Sequence, residues 1–267
     1  MTASLAVLQD ELRQLGQVVV AFSGGADSAL LAKVAQDTLG RSKVLCATAI
    51  SPSLATAEAE DCQALAREWD LRWIGVPTDE MNDPAYVANG ADRCARCKTA
   101  LMSVLGPLAE SEAAQVVLGV NVSDLGDHRP GQAAAAAAGA TFPLVQAGFT
   151  KDDIRHLSRE LGLRTWDKPA AACLASRLPY GTPVTLGRLE AVDRAEAALR
   201  ALGFGQLRVR HEGTSARLEF DLSDLPDVLA RREDVVAAVR GAGFSFVALD
   251  LEGFRSGSLN RDLKEGQ

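Results

Sequence analysis

The sequence predicts an α/β protein, a doubly wound parallel sheet followed by a second, smaller α+β domain. Three observations carry this expectation. Short apolar runs alternate with segments of helical periodicity through residues 1–165. The run Val18-Val19-Val20-Ala21-Phe22 is apolar without a break, as a strand buried on both faces of a parallel sheet has to be. After about Leu163 the texture changes, and residues 166–183 hold Pro169, Pro179 and Pro183 with little apolar periodicity.

Taken in order, Leu5, Leu8, Leu12 and Leu15 repeat at helical spacing, and Gly16 ends that helix. The buried run follows as a strand, then a Gly-rich turn and a helix over about Ser28–Leu39 closed by Gly40. Lys43–Ile50 reads as a strand, about Thr56–Trp69 as a helix and Leu71–Gly75 as a strand. A further helix covers about Cys97–Glu110, and Gln115–Val120 is again a strand. Residues 166–186 read as a linker or active-site loop. Residues 187–267 form the smaller domain, with a helix over about Gly187–Leu202 and alternating strands Leu207–His211 and Ala216–Phe220 around the turn Glu212-Gly213-Thr214. A helix over Leu225–Arg240 and a strand over Phe244–Leu249 complete it.

Composition narrows the function classes. The 267 residues carry 28 Lys and Arg against 35 Asp and Glu, a net charge of -7, with 47% hydrophobic residues, so wholesale disorder is excluded. No run approaches the ~20 apolar residues of a membrane span. Asp10, Glu11 and Arg13 stand where a secretory signal would be apolar, so a cytoplasmic protein is expected. Five cysteines are too few for a disulfide scaffold, which leaves free thiols, a metal site or catalysis. The first 169 residues hold 15 basic and 21 acidic side chains and the remainder 13 and 14, an acidic balance that weakens, without excluding, the case for a nucleic-acid partner.

Ser23-Gly24-Gly25-Ala26-Asp27-Ser28 lies between the buried strand and a helix. Glycines let the backbone approach an anion and aim successive N–H groups at it, and the helix start adds partial positive charge. Ser23 and Ser28 supply hydroxyls, and Asp27 is suited to orienting the loop or holding Mg²⁺. The Walker A ending is absent, and Gly241-Ala242-Gly243 lacks the third glycine of a dinucleotide fingerprint because Phe246 stands there. The segment resembles the SGGxDS pyrophosphate loop of the adenine-nucleotide α-hydrolase (PP-loop) superfamily. That resemblance implies cleavage of ATP between the α- and β-phosphates, with adenylation of a substrate oxygen.

Arg93-Cys94-Ala95-Arg96-Cys97-Lys98 sets two thiols three residues apart among cations that favour the thiolate. Cys173 stands among small residues, bracketed by Lys168 and Arg177. Three thiols suit a [4Fe-4S] cluster with one open iron, or zinc with His128 or water as the fourth ligand. Cys46, in an apolar strand, and Cys62, in a helix, read as packed thiols.

Further stretches narrow the resemblance: Gly119 to Gly131, Phe142-Pro143-Leu144 with Lys151 and Ile154-Arg155, Trp166 to Gly181, Leu207-Arg208-Val209-Arg210, and Leu249 to Asn260. Together they resemble the LarE family of sulfur transferases, from about residue 17 to 260, with Val120 in place of a usual Thr and Leu259 in place of a usual Met. The resemblance implies adenylation of the carboxylates of a pyridinium-3,5-biscarboxylic acid mononucleotide, then sulfur attack giving thiocarboxylates for a nickel-pincer cofactor. It implies ATP and Mg²⁺ as cofactors, with nucleotide contacts from Ser23, Gly24, Gly25, Asp27, Ser28, Gly119 and Asp124. The sulfur source is either Cys173 itself, left as dehydroalanine, or sulfide on a [4Fe-4S] cluster held by Cys94, Cys97 and Cys173. The second is favoured by the Cys-x-x-Cys pair. The family also suggests a homo-oligomer built partly through the C-terminal domain.

Asp124, Asp127 and Arg129 follow the carboxyl end of a strand, where ligands sit in such folds, and Asp127 and Arg129 are assigned to substrate with Arg177. Arg208 and Arg210 share one strand face, opposite the core-facing Leu207 and Val209, as a pair suited to gripping a phosphate. Arg217 and Glu219 are expected opposite them. A tRNA thiolase, an amidating synthetase and a non-catalytic ATP-binding module are the rivals. The first needs a basic surface, the second gives no reason for three thiols, and the third predicts no pyrophosphate release.

Overall fold

The computed structural model describes residues 3–126, 130–169 and 172–255. Of these, the residues within 1–51, 57–80 and 92–171 form one compact unit, and those within 52–56, 81–91 and 172–267 form another. Two short segments of the N-terminal half therefore belong to the second unit.

In chain order the first part runs α1 (Leu5–Leu15), β1 (Val18–Ala21), α2 (Ala26–Leu39), β2 (Val44–Ile50), α3 (Thr56–Glu68), β3 (Trp73–Pro77), the single-turn α4 (Pro84–Val87, in the second unit), α5 (Arg93–Ser111), β4 (Gln115–Leu118), α6 (Pro130–Ala137), the short α7 (Pro143–Gln146) and α8 (Lys151–Glu160). The four strands are parallel, in the order β3-β2-β1-β4. Alternate residues of β1 serve different cores. Val18 and Val20 join Leu8, Leu12, Leu30, Leu31 and Ile154 on one face, while Val19 joins Leu101, Leu105 and Ala135 on the other. Helices thus cover both faces, which is why β1 tolerates no polar residue.

The chain leaves β1 towards β2 and β3 and returns to the opposite side of β1 as β4. This reversal is a topological switch point, the position at which open α/β sheets bind their ligands.

The second unit contains α9 (Leu186–Ala201), β5 (Leu207–Glu212), β6 (Ser215–Phe220), α10 (Leu225–Ala230), α11 (Arg232–Gly241) and β7 (Phe246–Leu249). β5 and β6 form the expected antiparallel hairpin, turning at Gly213 with φ 66°, and β7 adds in parallel to β6. The single helix expected over Leu225–Arg240 is instead two, broken at Arg231. At the break Arg231 leaves helical backbone angles, with φ -105° and ψ 26°, and its guanidinium donates to Leu202 O at 2.8 Å and lies 5.3 Å from the Phe204 ring. Among the described residues, no helix is long and apolar enough to cross a membrane.

Leu30 is fully buried on α2, at the centre of the core that seats the β1 loop. Leu30→Ala is expected to cost about 2–5 kcal/mol in urea unfolding, through lost burial and the cavity left behind.

Candidate active site

The loop after β1 is built by its neighbours. Phe22 continues the strand by donating its N–H to Ala47 O at 2.8 Å, and its carbonyl accepts from Thr48 Oγ1 at 2.6 Å. Trp73 Nε1 donates to the same hydroxyl at 2.8 Å and fixes it. The chain then turns at Gly24, with φ 67°, where a Cβ would stand 2.9 Å from the buried Cys62 Sγ. A side chain is excluded twice over, by the left-handed backbone and by lack of space.

Ser28 Oγ donates to Gly25 O at 3.2 Å, accepts from Ser23 N–H at 3.2 Å and lies 3.1 Å from Ser23 Oγ, so the two serines clasp the loop. Among the described residues, the N–H groups of Gly24 and Gly25 donate to no protein acceptor. They lie at the positive end of the 14-residue α2. A cradle of free N–H groups at a helix start is an anion site.

The loop after β4 closes on this turn. A Cβ on Gly119 would meet Ser28 N at 2.7 Å, so only glycine lets the two backbones pass. Asp124 accepts from Asn121 N–H at 3.2 Å, and the buried Asn121 Oδ1 has no hydrogen-bond partner among the described residues. Two lysines complete the arrangement. Lys151, at the capped start of α8, donates to both Asp27 oxygens at 2.7 and 2.9 Å. Lys168, read from the sequence as a neighbour of Cys173, commits its ammonium to Glu58 at 2.8 Å, Asp61 at 2.6 Å and Gly24 O at 3.2 Å. Burial lowers the Lys168 pKa, but the hydrogen bonds and charges of Asp61 and Glu58 outweigh it and raise the value overall. Asp61 is pushed up by burial and then held below its usual range by Lys168 and Arg164. Neither lysine's partnership could be read from sequence, since Lys151 lies 124 residues from Asp27 and Lys168 lies 144 from Gly24.

Cys94 and Cys97 share the first turns of α5, which begins four residues earlier than expected, at Arg93. Cys94 is exposed and Cys97 half-buried. Gly131 packs closely here, since a Cβ would lie 3.0 Å from Cys94 O. Cys46 and Cys62 are buried thiols, pushed up by desolvation to about 12 and about 11.

In the second unit Cys173, half-buried, precedes a single 3-10 turn, Leu174–Arg177. Leu174 N–H donates to Ser53 O at 2.8 Å. Arg177 holds the turn from within, donating to Ala172 O at 2.6 Å and Cys173 O at 3.1 Å. Its other nitrogens form a bidentate pair with the fully buried Glu196 at 2.8 and 3.0 Å. Glu196 also accepts from Arg200 and from Val209 N–H. Arg177 is thus placed to shape the thiol loop.

The hairpin register sets Arg208 opposite Glu219 and Arg210 opposite Arg217. Both expected phosphate arginines are buried, together with Leu207 and Val209, so both faces of β5 are covered. Arg210 forms a bidentate pair with Glu219 at 2.9 and 2.8 Å and donates to Ser176 O at 2.8 Å, which ties the sheet to the turn after Cys173. Arg208 lies 5.0 Å from the Phe254 ring, and its pKa is lowered to about 10 by burial and by the charges of Arg177, Arg210 and Arg200, against Glu196. An anion beside Arg208 would relieve that repulsion.

Among the described residues, no group of three or more His, Cys, Asp and Glu side chains is positioned to hold a metal ion. Asp127, His128, Arg129 and the stretch from Ser256 to Asn260 lie outside the described residues.

A parallel sheet with this glycine cradle at its switch point defines a PP-loop protein of the adenine-nucleotide α-hydrolase class. The family model for NAD synthase matches residues 1–89. A glutamine-dependent NAD(+) synthetase of Rhodobacter capsulatus is 38% identical over 86 residues, covering 32% of this chain and 15% of that protein. Other relatives match nearly end to end. An uncharacterized protein of Synechocystis sp. is 44% identical over 94% of both chains. The pyridinium-3,5-bisthiocarboxylic acid mononucleotide synthase of Lactiplantibacillus plantarum is 38% identical over 98% of this chain and 95% of its own. The chain belongs to the family of that synthase, the LarE family.

Two substitutions probe the geometry. Gly24→Ala is expected to destabilise the fold by at least about 1–2 kcal/mol from the left-handed backbone alone. Adding Cys62→Ala should recover only the steric part of the loss, as read by urea unfolding. Arg177→Met leaves Glu196 buried without its main partner and is expected to cost about 3–5 kcal/mol, with Glu196→Met in the same chain recovering most of it. Burial pushes the Glu196 carboxyl up, but Arg177, Arg200 and Val209 N–H outweigh it and hold it below its ordinary value. Its contribution is therefore full above the ordinary carboxylate range and lost as pH falls through the lowered value. Wild-type stability should show that acid-side loss and Glu196→Gln should lack it.

Proposed function

We propose that this chain is an ATP-dependent sulfur transferase acting on a pyridinium-3,5-biscarboxylic acid mononucleotide, the carboxylic counterpart of the bisthiocarboxylic compound for which the Lactiplantibacillus synthase is named. The observation that carries the reading is the free N–H cradle at Gly24 and Gly25, in a chain that also matches that synthase across both compact units.

The chemistry follows from what each group can do. The N–H groups of Gly24 and Gly25, with the clasped hydroxyls of Ser23 and Ser28, bind the leaving pyrophosphate. Asp27, with Asp124, is the Mg²⁺ and nucleotide partner, and Lys151 neutralises Asp27 until the cation arrives. A substrate carboxylate attacks the α-phosphorus, and pyrophosphate leaves. The product acyl-adenylate is electrophilic where the carboxylate was not, because AMP is a far better leaving group than oxide. Cys173, as thiolate, attacks the acyl carbon and expels AMP to give a thioester. Loss of the Cys173 Hα as a proton then breaks the Cβ–S bond, leaving dehydroalanine and a thiocarboxylate. Arg177 sets the thiol's backbone for this step, and Arg208 and Arg210, with Arg129 and Asp127, are the proposed substrate contacts.

A [4Fe-4S] cluster on Cys94, Cys97 and Cys173 is the catalytic alternative to a sacrificed thiol. It would supply an exchangeable sulfide. Cys94 and Cys97, three residues apart at the start of α5, support two of its ligands. We further read the protein as cytoplasmic, homo-oligomeric and free of nucleic-acid partners.

Intact mass before and after incubation with Mg-ATP and the biscarboxylic mononucleotide tests the reading. Loss of the mass of H₂S from the protein is expected, and Cys173→Ala should abolish transfer while still releasing pyrophosphate. Unchanged protein mass with multiple turnovers, in a brown anaerobic preparation bleached by Cys94→Ala, would assign the sulfur to a cluster instead. No pyrophosphate release with this substrate would overturn the reading.

A further inference from the structure

We propose that Lys168 is a positioning residue for the phosphate loop: its ammonium fixes the peptide unit between Gly24 and Gly25 so that the Gly25 N–H faces the nucleotide's phosphates. The proposal rests on the nucleotide reading above and deepens it.

A peptide flanked by two glycines is the least restrained unit a chain can make, because neither residue has a Cβ to bar rotation of the plane between them. Left alone, it can turn its N–H into the cradle or away from it. Lys168 removes that choice. Its Nζ donates to Gly24 O at 3.2 Å, and in a planar trans peptide the carbonyl and the following N–H point in opposite directions. Holding the carbonyl on the Lys168 side therefore turns the Gly25 N–H to the other side. There it donates to no protein acceptor among the described residues.

The lysine is itself held. Glu58 and Asp61, one turn apart on α3, accept from it at 2.8 and 2.6 Å, and Arg164 braces Asp61 at 2.6 Å and Glu68 at 2.8 Å. An ammonium has three N–H donors, and these three acceptors use all of them. Lys168 is thus committed to the loop's floor and acts on phosphate through Gly24, unlike a lysine that reaches the ligand directly. Its side chain is 17% exposed, so water competes little for those bonds.

Calorimetric binding of α,β-methylene-ATP with Mg²⁺, beside adenosine as the ligand without phosphates, tests this on the full-length chain. Lys168→Met leaves two carboxylates unpaired, so it is compared with the triple variant E58Q/D61N/K168M, which leaves none. Both are expected to weaken the analogue roughly tenfold, about the worth of one charge-assisted hydrogen bond, and to leave adenosine within about twofold. Lys168→Arg, which keeps the charge and both carboxylates paired, should restore most of the affinity. Wild-type affinity for the analogue in the folded triple variant would overturn the proposal, as would equal weakening of analogue and adenosine. Failure of the wild-type chain to bind either ligand would remove the nucleotide reading, and this proposal with it.

Discussion

Everything at the candidate site follows from one steric constraint, the close approach of backbone to backbone at the carboxyl end of β1. Gly24 passes over Cys62 with no room for a methyl group, and Gly119 passes the amide of Ser28 at a distance no Cβ allows. At these crossings the N–H groups of Gly24 and Gly25 donate to no protein acceptor among the described residues. Unpaired amides are costly where water is scarce, so the turn is a place where an anion stabilises the protein and the protein in turn binds the anion.

A second theme is charge held in reserve. Lys151 rests on Asp27, Lys168 on Glu58 and Asp61, Arg177 on Glu196 and Arg210 on Glu219. The two arginine pairs are buried, where desolvation offsets much of their attraction, so their contribution is geometry more than stability. The Arg177–Glu196 and Arg210–Ser176 bonds connect the turn after Cys173 to α9 and to β5. The backbone at Cys173 is thereby held in place while its side chain stays half-buried.

The architecture was legible where it is encoded locally. The Val18–Phe22 run, the leucines of α1 and the Ser23–Ser28 loop each carry their meaning within a few residues. The helix break at Arg231 was not legible, and the Leu202 and Phe204 contacts its side chain makes come from a distant stretch of the chain. The partners of Lys168 and Arg177 were hidden for the same reason. From the sequence they only bracket Cys173, with Arg177 assigned to substrate, while the partners seen for them lie on α3, the phosphate loop and α9. The alternation along β5 correctly paired Arg208 with Arg210 on one face, but nothing in it told that this face is covered.

The central claim is that the glycine cradle grips the β- and γ-phosphates while substrate attacks the α-phosphorus. Phosphorus NMR of the products, with the reaction run in ¹⁸O-labelled substrate carboxylate, tests it most directly. AMP carrying one labelled oxygen, together with unlabelled pyrophosphate, is the expected result. ADP and orthophosphate, or AMP without label, would contradict it.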